Sequence, residues 1–437
     1  MDAAHLQKST QGILLLLSMW VYNLVVFLYG AMIRLGAPFH KKANLWVQGR
    51  RNIFSRINKT LREKRIDQFS KKIWFHCASL GEFEQGRPVI EKLKKDHPEV
   101  KVILTFFSPS GYEIRKDYAS ADAVFYLPLD LPGNVNKFLD LVKPDAAVFV
   151  KYEFWLNYLA QLRERNIPTY LVSAVFRSDQ HFFKWYGKSF FTTLGYYRRI
   201  FVQDENSLKL LTEKRFKNVE LAGDTRFDRV MEITRDKSPI GTIERFCGTS
   251  PVLIAGSTWP KDDELVIGSY AKLKQKNPAL KLLLVPHEIG ENSISAIEKK
   301  ILHANSSLFF ARFSNNQDFS KHDILIIDTI GMLSRLYRYA QAAYVGGGFA
   351  DGIHNILEVL AHGIPVSFGP NHEKFVEALE TRELGIGRPI QNEAELLAFF
   401  SEMITDEGKL RQLRAKINTY MQSKTGATEK ILQEIPV

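Results

Sequence analysis

The run Tyr344-Val345-Gly346-Gly347-Gly348-Phe349-Ala350-Asp351-Gly352-Ile353-His354-Asn355-Ile356-Leu357-Glu358 joins a short apolar strand, a glycine turn and an amphipathic stretch. Glycines let a backbone approach an anion closely, and a helix that follows them turns its free N–H groups and positive dipole end toward the same point. Gly346, Gly347 and Gly348 are placed for such a cradle, with His354 and Asn355 where the helix is expected to begin. Glu358 falls one turn further on, where a carboxylate can accept hydrogen bonds from sugar hydroxyls. The same pattern also serves a glycine turn that only packs a strand on a helix.

Units of strand, turn and helix extend outward from this run over most of the 437 residues. Strands are expected at 73–77, 102–107, 123–127, 146–150, 169–173, 200–203 and 219–222, and again at 252–255, 280–285, 307–311, 324–328, 342–345 and 365–368. Helical patterns lie between most of them, as at 83–96, 154–166, 263–277 and 355–362. Strands alternating with helices imply parallel sheets covered on both faces. Thirteen strands are too many for one ordinary sheet, and the pattern loosens between 228 and 251 around Ser238-Pro239-Ile240-Gly241. Two doubly wound Rossmann-like domains of similar size follow, 36–230 and 240–437, with a cleft between them.

The N-terminus adds a different element. Residues 12–33 are apolar and uncharged, long enough at roughly 20 residues to cross a bilayer once. From Arg34 to Lys72 there are twelve Lys or Arg against Glu63 and Asp67, so a local excess of ten carries nearly all of the net charge of +11. A basic collar alone also suits nucleic acid, but the apolar neighbour favours a membrane surface. Residues 1–35 therefore read as a membrane anchor, spanning or monotopic, with a cleaved signal peptide as the competing reading. Arg34, Lys41, Lys42, Arg50 and Arg51 then keep the body of the protein on the cytoplasmic side, and Trp20, Tyr22 and Tyr29 are interfacial candidates. Cys77 and Cys247 are too few for a disulfide framework and suit a reducing compartment.

Several strand ends carry chemistry. The strand 73–77 runs into Ala78-Ser79-Leu80-Gly81-Glu82, and the strand 146–150 into Lys151-Tyr152-Glu153. A carboxylate there can act as a general base, although one in the first turn of a helix is also favoured by the dipole alone. Two such carboxylates in one domain suggest a site, because burying a charge without purpose is costly. Ser108-Pro109-Ser110-Gly111 is either an anion- or sugar-binding turn or a capped helix start, and Arg177 either holds an anion or pairs with Asp179. In the second domain Gly256, Ser257 and Thr258 follow the first strand, and His287 follows the second. With the glycine run these form three strand-end loops that converge on a nucleotide. A complete Gly-x-x-x-x-Gly-Lys-Ser/Thr phosphate loop is missing, since Gly187-Lys188-Ser189 has Phe182 where the first glycine would stand, and so are an Asp-x-Asp pair, metal-ligand Cys/His spacing and the Gly-x-Gly-x-x-Gly fingerprint. Metal-free transfer with a carboxylate base and a phosphate cradle remains.

These residues resemble a known family, the membrane-anchored 3-deoxy-D-manno-octulosonic acid (Kdo) transferases of lipopolysaccharide synthesis. The resemblance rests on the N-terminal anchor, Ser79-Leu80-Gly81-Glu82, Pro128-Leu129-Asp130, Glu153-Phe154-Trp155-Leu156-Asn157, Gly223-Asp224-Thr225-Arg226-Phe227-Asp228, Gly256-Ser257-Thr258 and the glycine-rich His-Asn-x-x-Glu stretch, in that order. It implies an inverting GT-B glycosyltransferase that moves Kdo from CMP-Kdo to the lipid A precursor at the inner membrane, with no cofactor, no metal and no nucleic-acid partner. Glu82 would be the general base and Glu153 would assist at the acceptor, with Ser79, Gly81, Ser110 and Arg177 around the acceptor. Gly256, Ser257, Thr258, His287, Gly346, Gly347, Gly348, His354, Asn355 and Glu358 would hold the CMP donor. The chain departs from the family pattern at Leu156, commonly Pro, at Arg226, commonly Lys, and at Ile353, commonly Gly. Another GT-B transferase using a UDP-sugar and a different lipid, and a non-catalytic membrane-bound nucleotide sensor, are the alternative readings.

Overall fold

A computed structural model describes residues 3–437 except 69–70, 152, 181–182 and 185–186, with side chains from residue 19 onward other than 188 and 189. The apolar positions 14–17 of the expected anchor therefore lie outside the side chains described. The chain divides into two compact units, one of residues 1–228 with 425–437 and one of residues 229–424.

The first unit is built on a seven-stranded parallel sheet of β1 (Lys72–Cys77), β2 (Lys101–Phe106), β3 (Ala123–Tyr126), β4 (Ala146–Val150), β5 (Thr169–Ala174), β6 (Arg199–Val202) and β7 (Val219–Leu221). Its strand order is β3-β2-β1-β4-β5-β6-β7. Every residue of β1, β4 and β5 is buried, as a strand covered on both faces requires. Alternation along the strands sends Trp74, Ile103, Phe149 and Leu171 into the core on one face, and Phe75, Leu104, Val148 and Val172 into the core on the other.

The N-terminal helix Ala3–Gly36 belongs to this unit, and one face of it docks there. Val26 packs with Trp46 and Leu129. Gly30 gives Leu129 its room, since a Cβ at that position would meet Leu129 Cδ1 at 2.6 Å. Tyr22 Oη donates to Asp130 Oδ2 at 2.6 Å, and Asn157 Nδ2 donates to Asn23 Oδ1 at 2.8 Å. Arg50, expected in the basic collar that faces the membrane surface, points inward instead. It donates to the carbonyls of Phe107 and Leu127 and lies 3.9 Å from the Trp46 ring centroid, because a planar guanidinium satisfies several acceptors and stacks at once.

The second unit carries a parallel sheet of β8 (Val252–Thr258), β9 (Lys281–Pro286), β10 (Phe310–Arg312), β11 (Ile324–Ile326), β12 (Ala342–Val345), β13 (Val366–Phe368) and β14 (Gly387–Pro389), in the order β10-β11-β9-β8-β12-β13-β14. Three sequence expectations are corrected here. Gly387–Pro389 is an additional edge strand paired with β13. Residues 256–258 extend β8 rather than forming a turn after it. The helix expected at 355–362 is the single turn Leu357–Leu360.

A fourth correction concerns the chain end. The helix Ala427–Glu434, expected in the second domain, belongs to the first unit. Asp228 draws it there, accepting the N–H groups of Gly426 and Thr428 at 2.6 Å each. A carboxylate at a helix N-terminus satisfies donors that the helix leaves open and complements its dipole. Cys77 and Cys247 are both buried and free.

Candidate active site

A doubly wound sheet binds ligands beyond the carboxyl ends of its strands where the strand order reverses. In the first unit that point lies between β1 and β4, and Glu82 and Glu153 follow these two strands. Glu82 stands in the first turn of the helix Leu80–Asp96, and its Oε2 accepts from Ser79 N at 2.8 Å and Ser79 Oγ at 3.1 Å. The carboxylate is thus part of a capping box. It is also more than a cap. Burial, and next the charge of Glu153, raise its pKa above the ordinary carboxylate value, against the lowering effect of the Ser79 bonds. A base tuned upward takes a proton more readily near neutral pH.

Glu153 is buried, and the turn that delivers it includes Lys151 at φ 71°. Its backbone carbonyl accepts Tyr197 Oη at 2.5 Å, and Trp155 Nε1 donates to its Oε2. His76 Nε2, from inside β1, lies 3.1 Å from the same oxygen. The sequence reading did not single out His76, which is hidden in a strand whose neighbours are all buried.

The acceptor candidates separate in character. Ser79 and Gly81 flank Glu82, and Gly81 is exposed. Ser110 lies in the first turn of the helix Pro109–Arg115, where Ser108 Oγ caps its N–H at 3.3 Å, the helix-start alternative. Arg177 is exposed and pairs with Asp179 at 3.8 Å, its plain surface alternative.

In the second unit the switch point lies between β8 and β12. Trp259 follows β8, His287 follows β9 and His354 follows β12, and their rings meet. Trp259 Nε1 donates to His354 Nε2 at 3.0 Å with the two rings within 5° of coplanar. His287 covers both, stacked 4.6 Å from each centroid. Because an indole N–H only donates, His354 Nε2 is the acceptor, and the proton of a neutral ring stands on Nδ1. Burial and the neighbouring His287 lower the pKa of His354. The site therefore presents a neutral imidazole donor.

The glycines of the expected anion cradle also answer to close neighbours within the fold. A Cβ at Gly346 would meet Ser257 O at 2.4 Å, and one at Gly348 would meet Gly369 Cα at 2.6 Å. Gly347, at φ 92°, donates its N–H to the buried carboxylate of Asp262 at 2.9 Å. Asp262 also accepts from Trp259 N at 2.9 Å and Tyr344 Oη at 2.6 Å. The Asp262 side chain thus takes up the Gly347 N–H and braces the loop. Gly256 likewise makes room for Tyr337, whose Oη lies 2.2 Å from where a Cβ would stand. Ser257 adopts φ 53° and Thr258 is buried. Asn355 accepts Leu357 N at 3.0 Å and donates to Glu358 Oε1 at 3.3 Å, which joins the Asn and Glu of the stretch.

Residues 49–229 match the family model described as 3-Deoxy-D-manno-octulosonic-acid transferase (kdotransferase). A 3-deoxy-D-manno-octulosonic acid transferase of Aquifex aeolicus is 30% identical over 342 residues, covering 78% of this chain and 88% of that protein. The chain belongs to the Kdo transferase family. A second such transferase, from Haemophilus influenzae, is 31% identical over 316 residues, covering 70% of this chain and 72% of its own. Among solved structures, the UDP-GlcNAc 2-epimerase from Neisseria meningitidis bound to UDP-GlcNAc superposes with a TM-score of 0.57 at 17% identity, over 83% of this chain and 98% of that one. That likeness concerns the fold, the two-domain α/β arrangement of the GT-B class.

Other motif residues of the chain build the framework. Asp130 accepts Asn157 N at 3.1 Å and Tyr158 N at 3.0 Å, capping the helix Leu156–Glu164 from a neighbouring loop. Thr225 Oγ1 donates to Gln85 O at 2.5 Å, tying its segment to the helix that carries Glu82. Arg226, where the family commonly has Lys, forks onto Asp224 through Nε at 2.9 Å and a terminal nitrogen at 2.7 Å. Leu156 opens its helix and Ile353 is buried. Among the described residues no group of three or more His, Cys, Asp or Glu is arranged to hold a metal ion.

Proposed function

We propose that the chain moves Kdo from CMP-Kdo to the lipid A precursor, lipid IVA, with inversion at the anomeric carbon. The observation that carries this reading is the placement of Glu82 at the switch point of the first sheet, with its basicity raised by burial and Glu153. As the bond from the sugar to the CMP phosphate breaks, the lipid hydroxyl attacks the anomeric carbon and gives its proton to Glu82. Glu153 orients the acceptor and stabilises the positive charge that develops on the sugar. Trp259, His287 and His354 form the donor platform of the second unit, His354 Nδ1–H being available to the single phosphate of CMP. Asn355 and Glu358 face the ribose.

The N-terminal helix suits a lipid acceptor. It is long and apolar enough over Met19–Gly36 to cross a membrane, but its docked face reserves Tyr22, Asn23 and Val26 for the protein. The opposite side exposes Trp20, Val21, Leu24, Met32 and Leu35, from 57% to 77%, followed by Phe39 at 82%. This favours a helix lying in the inner membrane surface, with exposed Lys41, Lys42 and Arg51 against lipid phosphates on the cytoplasmic side.

The donor is tested by thermal denaturation with CMP and UDP in parallel. CMP at a hundredfold excess over its dissociation constant stabilises by about 2.7 kcal/mol, and UDP leaves the transition in place. Stabilisation by UDP alone would replace this donor with a UDP-sugar.

A further inference from the structure

The N-terminal helix Ala3–Gly36 reaches further into its unit than a tether needs to. Tyr22, Val26, Tyr29 and Ile33 recur at helical spacing along its docked side. Apolar packing would suffice to seat such a face, and Val26 and Ile33 supply it against Trp46 and Leu129. Two further sets of contacts lead elsewhere, to the segment that joins β4 to the helix Leu156–Glu164 and carries Glu153.

The first set is polar. Tyr22 Oη lies 2.6 Å from Asp130 Oδ2, and the buried Asp130 accepts Asn157 N and Tyr158 N at the start of that helix. Asn157 Nδ2 donates to Asp130 O at 2.7 Å. A carbonyl only accepts, so the orientation of this amide is fixed, and its second proton goes to Asn23 Oδ1 at 2.8 Å. With Asp130 and Asn157 both buried, a partner removed on the helix is not replaced without cost. The second set is aromatic. Tyr29 stacks on Phe107 with centroids 6.1 Å apart, Phe107 lies 4.7 Å from the Trp155 ring, and Trp155 Nε1 donates to Glu153 Oε2. Residues 153–155 belong to neither helix nor strand, so the place of Glu153 is set by side-chain contacts of this kind rather than by a backbone ladder.

We infer that Tyr22 and Asn23 are positioning residues for the transfer reaction, through which the N-terminal helix sets the place of Glu153. The inference rests on the reading of Glu153 as a residue of the acceptor site and of the exposed helix face as its lipid contact. One rigid element then fixes both the depth of the enzyme in the lipid surface and the location of the carboxylate that orients the acceptor hydroxyl. A helix that only tethers the enzyme would leave the rate at saturation untouched when its polar contacts are removed.

Tyr22→Phe deletes the hydroxyl and Asn23→Leu the amide, with Val26 and Ile33 left in place. With lipid IVA in detergent micelles and saturating CMP-Kdo, the double variant should lose ~10- to 100-fold in kcat, while KM for the lipid and co-sedimentation with phosphatidylethanolamine–phosphatidylglycerol vesicles stay within ~2-fold of the wild type. Wild-type kcat, or a loss confined to KM and vesicle binding, would overturn the inference and leave the helix an anchor alone. Added to Glu153→Gln, the two helix substitutions should cost no more than a further ~3-fold, because they act through that carboxylate. Losses that multiply would also overturn it. Should the double helix variant not fold, Tyr22→Phe decides by itself, with a loss of at least ~3-fold in kcat expected and an unchanged kcat counting against the inference. Glu153→Gln alone separates the inference from the reading beneath it. A slow Glu153→Gln beside a fast helix variant would keep Glu153 in the acceptor site and reject its positioning by the helix. A fast Glu153→Gln beside a slow helix variant would remove Glu153 from that site, and the positioning role with it.

Discussion

Glu82 serves two ends with one side chain: Oε2 closes a capping box on Ser79, and burial beside Glu153 raises its basicity. The sign of the pH effect follows. Transfer requires ionised Glu82, so the rate falls as pH drops through its raised pKa. Glu153→Gln removes the negative charge that helps raise it, and the acid limb of the remaining activity should move to lower pH. A pH–rate profile checks this, and a limb that stays in place or moves to higher pH would break the electrostatic link between the two carboxylates. Both carboxylates were legible in the sequence because each follows an apolar strand. His76, Trp259 and Asp262 were not. A histidine within a buried strand looks like filler, and an aspartate in a first helical turn looks like a dipole partner until its acceptors are seen to be Gly347 and Trp259.

At the scale of elements, the alternation of strand and helix was readable because fully buried parallel strands are continuous apolar runs. What escaped was decided by tertiary partners. Gly387–Pro389 has no strand pattern and pairs only through its backbone with β13. The turn Leu357–Leu360 is shorter than its apolar spacing suggested, and the glycines before it are also demanded by close neighbours in the fold. The return of the C-terminal helix to the first unit depends on Asp228, whose effect no periodicity reveals. Asp228→Ala deprives two N–H groups of a charged acceptor, each worth about 1.5–3 kcal/mol. Amide exchange in Ala427–Glu434 should therefore accelerate strongly while the β8 and β9 amides keep their protection. Unchanged exchange in that helix would show that its apolar contacts hold it without the cap.

For the whole molecule, the uneven charge and the apolar N-terminal helix agree with the chemistry proposed for the site: a membrane-seated enzyme whose acceptor is a phosphorylated lipid. The family, the two-domain architecture and the positions of both carboxylates followed from sequence order alone. The platform of Trp259, His287 and His354 did not, because it joins three loops that are far apart in the chain and adjacent only in the folded sheet. The central claim is that Glu82 is the base of Kdo transfer. Mass spectrometry of the lipid formed when CMP-Kdo and tetraacylated lipid A precursor are incubated with the wild type or with Glu82→Gln tests it most directly. The wild type should add at least one Kdo-sized increment and the folded variant should be slower by ~100-fold or more. No increment with the wild type, or wild-type rates from Glu82→Gln, would contradict the account.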